Sequence, residues 1–143
     1  MKQPTLYLRI GVEEDVDVVV DLSRDLFSNS VYSVHSVYDP SVVRDNYVNS
    51  LRLGNSRCCT ILLHRGEKCI GFLVCSKQNP AFTKDVYATE LGFWIYPEYK
   101  TAAGMKMLIE AYYYWARKTG CKAALMGKLN KNKVESYRMK VLV

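Results

Sequence analysis

The chain has 143 residues, 49% apolar and 24% charged, the make-up of a single domain (1–143) large enough to bury a core. Twenty basic residues against 14 acidic ones leave a net charge of +6, which favours an anionic partner: a phosphorylated cofactor, a nucleic acid or an acidic protein surface. No apolar run reaches the roughly 18 to 20 residues of a membrane span, the first residues do not read as a signal peptide, and five cysteines without CxxC spacing beside two histidines argue against zinc or a disulfide framework.

In chain order, TLYLRI (5–10) alternates and is rich in β-formers, so it predicts a first strand. EEDVDVVVDLSRDLF follows with apolar residues at helical spacing and acid at its start, where the helix dipole favours it. SNSVYSVHSVYDPS repeats Ser-Val-aromatic and closes on Asp39-Pro40, a turn and helix-start signal. SVVRDNYVNSLR predicts a second helix ending near Gly54. RCCTILLHR and KCIGFLVCSKQ, separated by Gly-Glu, predict an antiparallel hairpin. VYATELGFWIY predicts a longer strand in which Gly92 marks a bulge or a close backbone approach.

KTAAG then opens a helix whose Met105, Leu108, Ile109, Tyr112, Trp115 and Ala116 trace one apolar face, with Gly120 as the C-terminal cap. KAALMGKL predicts a further strand, and NKNKVESYRMKVLV a short helix. Cys58, Cys59, Cys69 and Cys75 fall in apolar strand-like runs as small core residues, which suits a reducing cytoplasm; Cys121 falls at a helix end. A strand, a small-residue loop, a helix and a second strand form a crossover unit, which sets a helix N-terminus beside a strand end where anions bind. Residues 101–105 carry the free N–H groups of that terminus, and Lys100 and Lys106 add charge. Three consecutive tyrosines on the helix, Tyr112, Tyr113 and Tyr114, point in different directions and make no base-stacking platform; a dimer interface, where Tyr is enriched, is an alternative use for some of them.

The order of elements resembles the GNAT superfamily of acyl-CoA-dependent N-acyltransferases, over nearly the whole chain. The likeness begins at LRIGVEEDVDVVVDL, is strongest at ELGFWIYPEYKTAAGMKMLIEAYYYWARKTGC, and continues to NKNKVESYRMKVL. The central segment is most similar to acetyltransferases encoded by bacteriophages, which implies a host-cell cytoplasm. The family loop usually runs Gln/Arg-x-x-Gly-x-Gly/Ala, whereas this chain has Lys100-Thr101-Ala102-Ala103-Gly104-Met105. The family's terminal Gly-Phe is replaced by Val141-Leu142, and its last two strands are expected to be missing.

The resemblance implies an α/β (α+β) fold with a mixed, mostly antiparallel sheet flanked by helices, and N-acetyl transfer from acetyl-CoA to a primary amine without a metal. The cofactor would lie on Phe93, Trp94 and Ile95, on the loop from Lys100 through Thr101, Ala102, Ala103, Gly104 and Met105 to Lys106, and on Asn130. Tyr137 would protonate the leaving thiolate and Glu90 would serve as base. Tyr32, His35 and Tyr38 would line the acceptor side. The expected partners are acetyl-CoA, an amine acceptor that includes proteins and small molecules, and a second copy of the chain, with no membrane. The alternative is a catalytically impaired descendant of the fold that binds a host protein or nucleic acid through its basic surface.

Overall fold

The computed structural model describes residues 4–129 and 134–143. Six strands form one sheet in sequence order: β1 (Leu6–Ile10), β2 (Cys58–Arg65), β3 (Lys68–Gln78), β4 (Tyr87–Ile95), β5 (Ala123–Leu129) and β6 (Val134–Val141). All neighbours run antiparallel except β4 and β5. That single parallel pair requires a crossover, which α3 (Ala102–Lys118) supplies.

The sheet is covered on both faces. Alternation along β2 sends Ile61 and Leu63 to one side, where they pack with Leu108, Tyr112 and Trp115 of α3. It sends Leu62 to the other side, with Val19 and Leu22 of α1 (Val16–Ser28) and Tyr47 of α2 (Pro40–Leu53). The α2 start is fixed by Asp39, whose side chain accepts the Ser41 N–H at 2.9 Å, with Pro40 at the first helical position. Its end is Gly54 at φ +89°, a conformation that suits glycine. The five cysteines are free; Cys59, Cys75 and Cys121 are buried, while Cys58 and Cys69 are half-buried.

One expected element is corrected. The segment after β5 forms strand β6, not a helix. Tyr137-Arg138-Met139-Lys140-Val141 alternates apolar and polar at period two, the signature of a strand, and it pairs along β5 from Ala123↔Val141 to Leu129↔Val134. The sheet therefore gains a strand in the place of the expected helix. Among the described residues, no helix is long and apolar enough to cross a membrane.

Candidate functional site

The parallel ladder between β4 and β5 is short. It pairs Tyr87 with Ala123, Ala88 with Ala124 and Thr89 with Leu125, and ends there. Beyond Thr89, β4 follows β3 while β5 follows β6. Residues 90–95 of β4 thus face a gap with no strand partner on that side among the described residues, and their N–H and C=O groups on that edge are open to an extended ligand.

A bulge sets the gap. Cys75 pairs with Glu90 and Val74 with Gly92, which leaves Leu91 as the extra residue. Leu91 is 60% exposed. Gly92 is buried, and a Cβ there would stand 3.3 Å from Leu26 Cδ2 of α1. The glycine expected to mark an irregularity does sit beside one, and its own use is the close approach of α1. Trp94 Nε1 donates to Asp25 Oδ2 at 2.7 Å, a second tie between α1 and this strand. Trp94 packs toward α1, and Phe93 and Ile95 toward α3.

Glu90 is half-buried at the closed end of the gap. Burial pushes its carboxyl pKa up from 4.5 to about 7, while the Gly127 backbone N–H of β5 pulls the other way. A carboxylate poised near neutrality at a strand gap is suited to accept a proton. Tyr112 of α3 is fully buried close by, and its hydroxyl donates to the Leu125 carbonyl at 2.7 Å.

The helix start lies at the open end of the gap. After β4 a 3-10 turn, Pro97–Tyr99, leads through Lys100 to Thr101, the N-cap of α3. Thr101 Oγ1 accepts the Gly104 N–H at 3.0 Å, and the Met105 N–H reaches the Thr101 carbonyl at 3.1 Å. Those two donors are occupied within the helix. The N–H groups of Ala102 and Ala103 have no partner among the described residues, as befits a first turn. Gly104 faces inward: a Cβ there would lie 3.0 Å from Leu63 Cδ2 and 3.6 Å from Ile95 Cδ1. Its glycine lets α3 approach the sheet. Lys100 is exposed. An open groove of about 910 Å³ runs from Ala102, Met105 and Lys106 along the outer face of α3 to Arg117, with Lys140 of β6 on its other bank.

The loop between α1 and α2 follows the end of α1 that packs over Gly92. Tyr32 is 61% exposed and His35 is exposed. Tyr38 is half-buried: its hydroxyl donates to the Val20 carbonyl at 2.7 Å and its ring packs against Phe27. Burial raises its pKa. Tyr137 lies opposite Gly127 in the β5–β6 register, so the backbone of Gly127 stands next to both Glu90 and the Tyr137 position. Asn130 lies outside the described residues.

Sequence patterns did not single out Thr89, Gly127 or, within the bulge, Leu91 as its extra residue. The signal for Gly127 was present, since a glycine inside a strand pattern marks close backbone approach.

The sheet opens at its one parallel pair, with a helix N-terminus at the mouth of the gap. The sequence matches the family model "Acetyltransferase (GNAT) family" over residues 19–139, and the chain belongs to that family. No curated protein matches it in sequence. Among solved structures, a Trypanosoma brucei acetyltransferase is similar at 20% identity, covering 84% of this chain and 80% of that one, with a TM-score of 0.61. A GNAT family acetyltransferase of Staphylococcus aureus is similar at 15% identity, 92% and 93% coverage and a TM-score of 0.64. The aminoglycoside N-acetyltransferase AAC(6')-Iy, solved with the bisubstrate analog CoA-S-monomethyl-acetylneamine, is similar at 14% identity, 84% and 77% coverage and a TM-score of 0.68. These likenesses show the fold: a six-stranded, mostly antiparallel sheet with helices on both faces.

Proposed function

We propose that the protein is an acetyl-CoA-dependent N-acetyltransferase that moves an acetyl group to a primary amine by direct attack on the thioester. The observation that carries this is the gap between β4 and β5, closed at Thr89 and open toward the start of α3. The gap offers strand edges for an extended arm, and the helix start offers N–H groups and positive dipole for a pyrophosphate. Membership of the family supports the same reading, as does a structural neighbour, AAC(6')-Iy, solved with CoA.

The backbone of Phe93, Trp94 and Ile95 would pair with the pantetheine arm. The N–H groups of Ala102 and Ala103 would face the pyrophosphate, with Lys100, Thr101 and Lys106 around it. Met105 opens onto the groove beside them. Gly104 serves by bringing the helix close to the sheet. Asn130 is proposed for the arm on the resemblance alone. Acetyl-CoA supplies the activated acyl group. Glu90 would take the proton of the incoming ammonium, which frees the nitrogen lone pair. A C–N bond forms at the acyl carbon and the C–S bond breaks. Tyr137 is proposed to give a proton to the departing thiolate, and the second proton, which the nitrogen sheds on becoming an amide, restores the phenol by way of solvent. Much of the acceleration would come from holding both substrates in place. Tyr32 and His35 are the exposed candidates to meet the acceptor, with the Tyr38 ring behind them.

Calorimetry with acetyl-CoA tests the proposal, followed by CoA release on addition of a panel of primary amines. Saturable binding and amine-dependent CoA release are expected. The absence of both heat and thermal shift at millimolar acetyl-CoA would overturn it.

A further inference from the structure

Thr89 Oγ1 is sealed from solvent and has no hydrogen-bond partner among the described residues. Native folds seldom bury a hydroxyl unpaired, because removing it from water without a replacement bond is costly. The position of this one is informative. Thr89 and Leu125 form the last rung of the parallel ladder, so Thr89 stands at the closed end of the gap. The other end is the start of α3, where the proposed function places the pyrophosphate. A chain fixed there and laid along residues 95 to 90 of β4 runs about 20 Å at strand rise, and its far terminus arrives at Thr89. Glu90 is the next residue, and alternation turns it to the face of Ala88, the α3 side, while Thr89 turns to the other. The group between them is approached from both faces.

Resting on the acyltransfer reading of this gap, we propose that Thr89 is a substrate-positioning residue whose hydroxyl donates to the thioester carbonyl oxygen of the bound acyl-CoA. The free protein keeps the donor dry and unpaired; the acyl group supplies its acceptor. Such a bond would also favour the negative charge that develops on that oxygen during attack, because the donor is already in place. The bond requires the acyl carbonyl, so it distinguishes acetyl-CoA from CoA, whose thiol has none.

The distinction makes the test. Binding of acetyl-CoA and of CoA is measured by calorimetry on the wild type, Thr89→Val and Thr89→Ser, with melting temperatures alongside. Val keeps nearly the shape of Thr and removes the hydroxyl; Ser keeps the hydroxyl. The expected result is that Thr89→Val weakens acetyl-CoA about 3- to 10-fold, the worth of one hydrogen bond, and leaves CoA unchanged. Its melting temperature should equal or exceed that of the wild type, and Thr89→Ser should restore the preference for acetyl-CoA. An unchanged ratio of the two affinities in Thr89→Val, or an equal loss for both ligands, overturns the assignment. If Thr89→Val fails to fold, the ratio in Thr89→Ala decides on the same terms. A wild type that binds neither ligand would instead count against the acyltransfer reading itself, and the assignment would fall with it.

Discussion

Gly127 on β5 turns its backbone N–H toward the Glu90 carboxyl on β4, across the gap where the two strands part. The bond favours the ionised carboxylate, while burial favours the neutral acid more strongly, and the pKa settles at about 7. One backbone donor is not enough to offset the desolvation.

If Glu90 is the base, kcat/KM should rise with pH through about 7 and then level. Glu90→Gln should abolish this limb and lower the plateau on the order of 10²-fold or more. The same group has a stability signature. Its folded pKa lies above the unfolded value, so its contribution is full below about pH 4.5 and is lost as pH rises through about 7. Thermal scans from pH 4 to 8 should show that decline in the wild type and less of it in Glu90→Gln. An acid limb that survives in Glu90→Gln would remove Glu90 from the proton-transfer role.

Thr101→Ala should uncap α3. The Thr101 hydroxyl holds the Gly104 N–H at 3.0 Å, and loss of an N-cap of this type costs about 1 kcal/mol. Chemical denaturation checks the magnitude. An unchanged unfolding midpoint would show that water replaces the hydroxyl at no cost.

Gly71→Ala should be harmful for a different reason. A Cβ at Gly71 would stand 2.8 Å from Ile95 Cγ1 and 2.9 Å from the Trp94 backbone oxygen. Backbone cannot step aside as a side-chain end can, so β4 must move. Overpacking of this kind costs about 1–3 kcal/mol, and the displaced residues include two proposed to carry the pantetheine arm. Denaturation midpoint and acetyl-CoA affinity should fall together. Retention of both would show that the strands absorb the methyl group locally.

Strands and helices with strong periodicity were legible in the sequence. KCIGFLVCSKQ marks β3 to the residue, because a two-residue turn bounds it on one side and Asn-Pro on the other. The bulge was legible through Gly92, though the unpaired residue proved to be Leu91, since a glycine tells where backbones approach and not which residue lacks a partner. The C-terminal segment forms a strand where a helix is expected, because the alternation from Tyr137 to Val141 is short and follows a polar stretch that hides it. Thr101 was read as one donor among several. The structure adds that its side chain occupies the Gly104 N–H, a pairing that depends on local geometry and not on composition. Thr89 was invisible for the same reason: only the packing around it shows that its hydroxyl is both buried and alone.

The entry to α1 is tied to β1 by a charged pair. Arg9 on β1 donates through its two terminal nitrogens to both carboxyl oxygens of Asp15, one at 2.7 Å, and through Nε to His64 Nε2 at 3.1 Å. The Asp15 side chain is 9% exposed and also accepts the Val12 N–H at 2.8 Å. The guanidinium bond holds the carboxyl below its usual range, against the opposing effect of burial. A depressed folded pKa contributes stability above the unfolded value near 3.8, and that stability is lost as pH falls through the folded value. Arg9→Met removes the partner and leaves a buried carboxylate. Because Arg9 is itself 38% exposed, the expected cost at pH 7 is moderate, about 1–3 kcal/mol. The difference between variant and wild type should shrink as pH drops below 4, where Asp15 no longer needs a cation. Urea titrations at pH 7 and pH 3 measure both quantities. A deficit of equal size at the two pH values would mean that Arg9 acts through packing of its aliphatic stem and not through its charge.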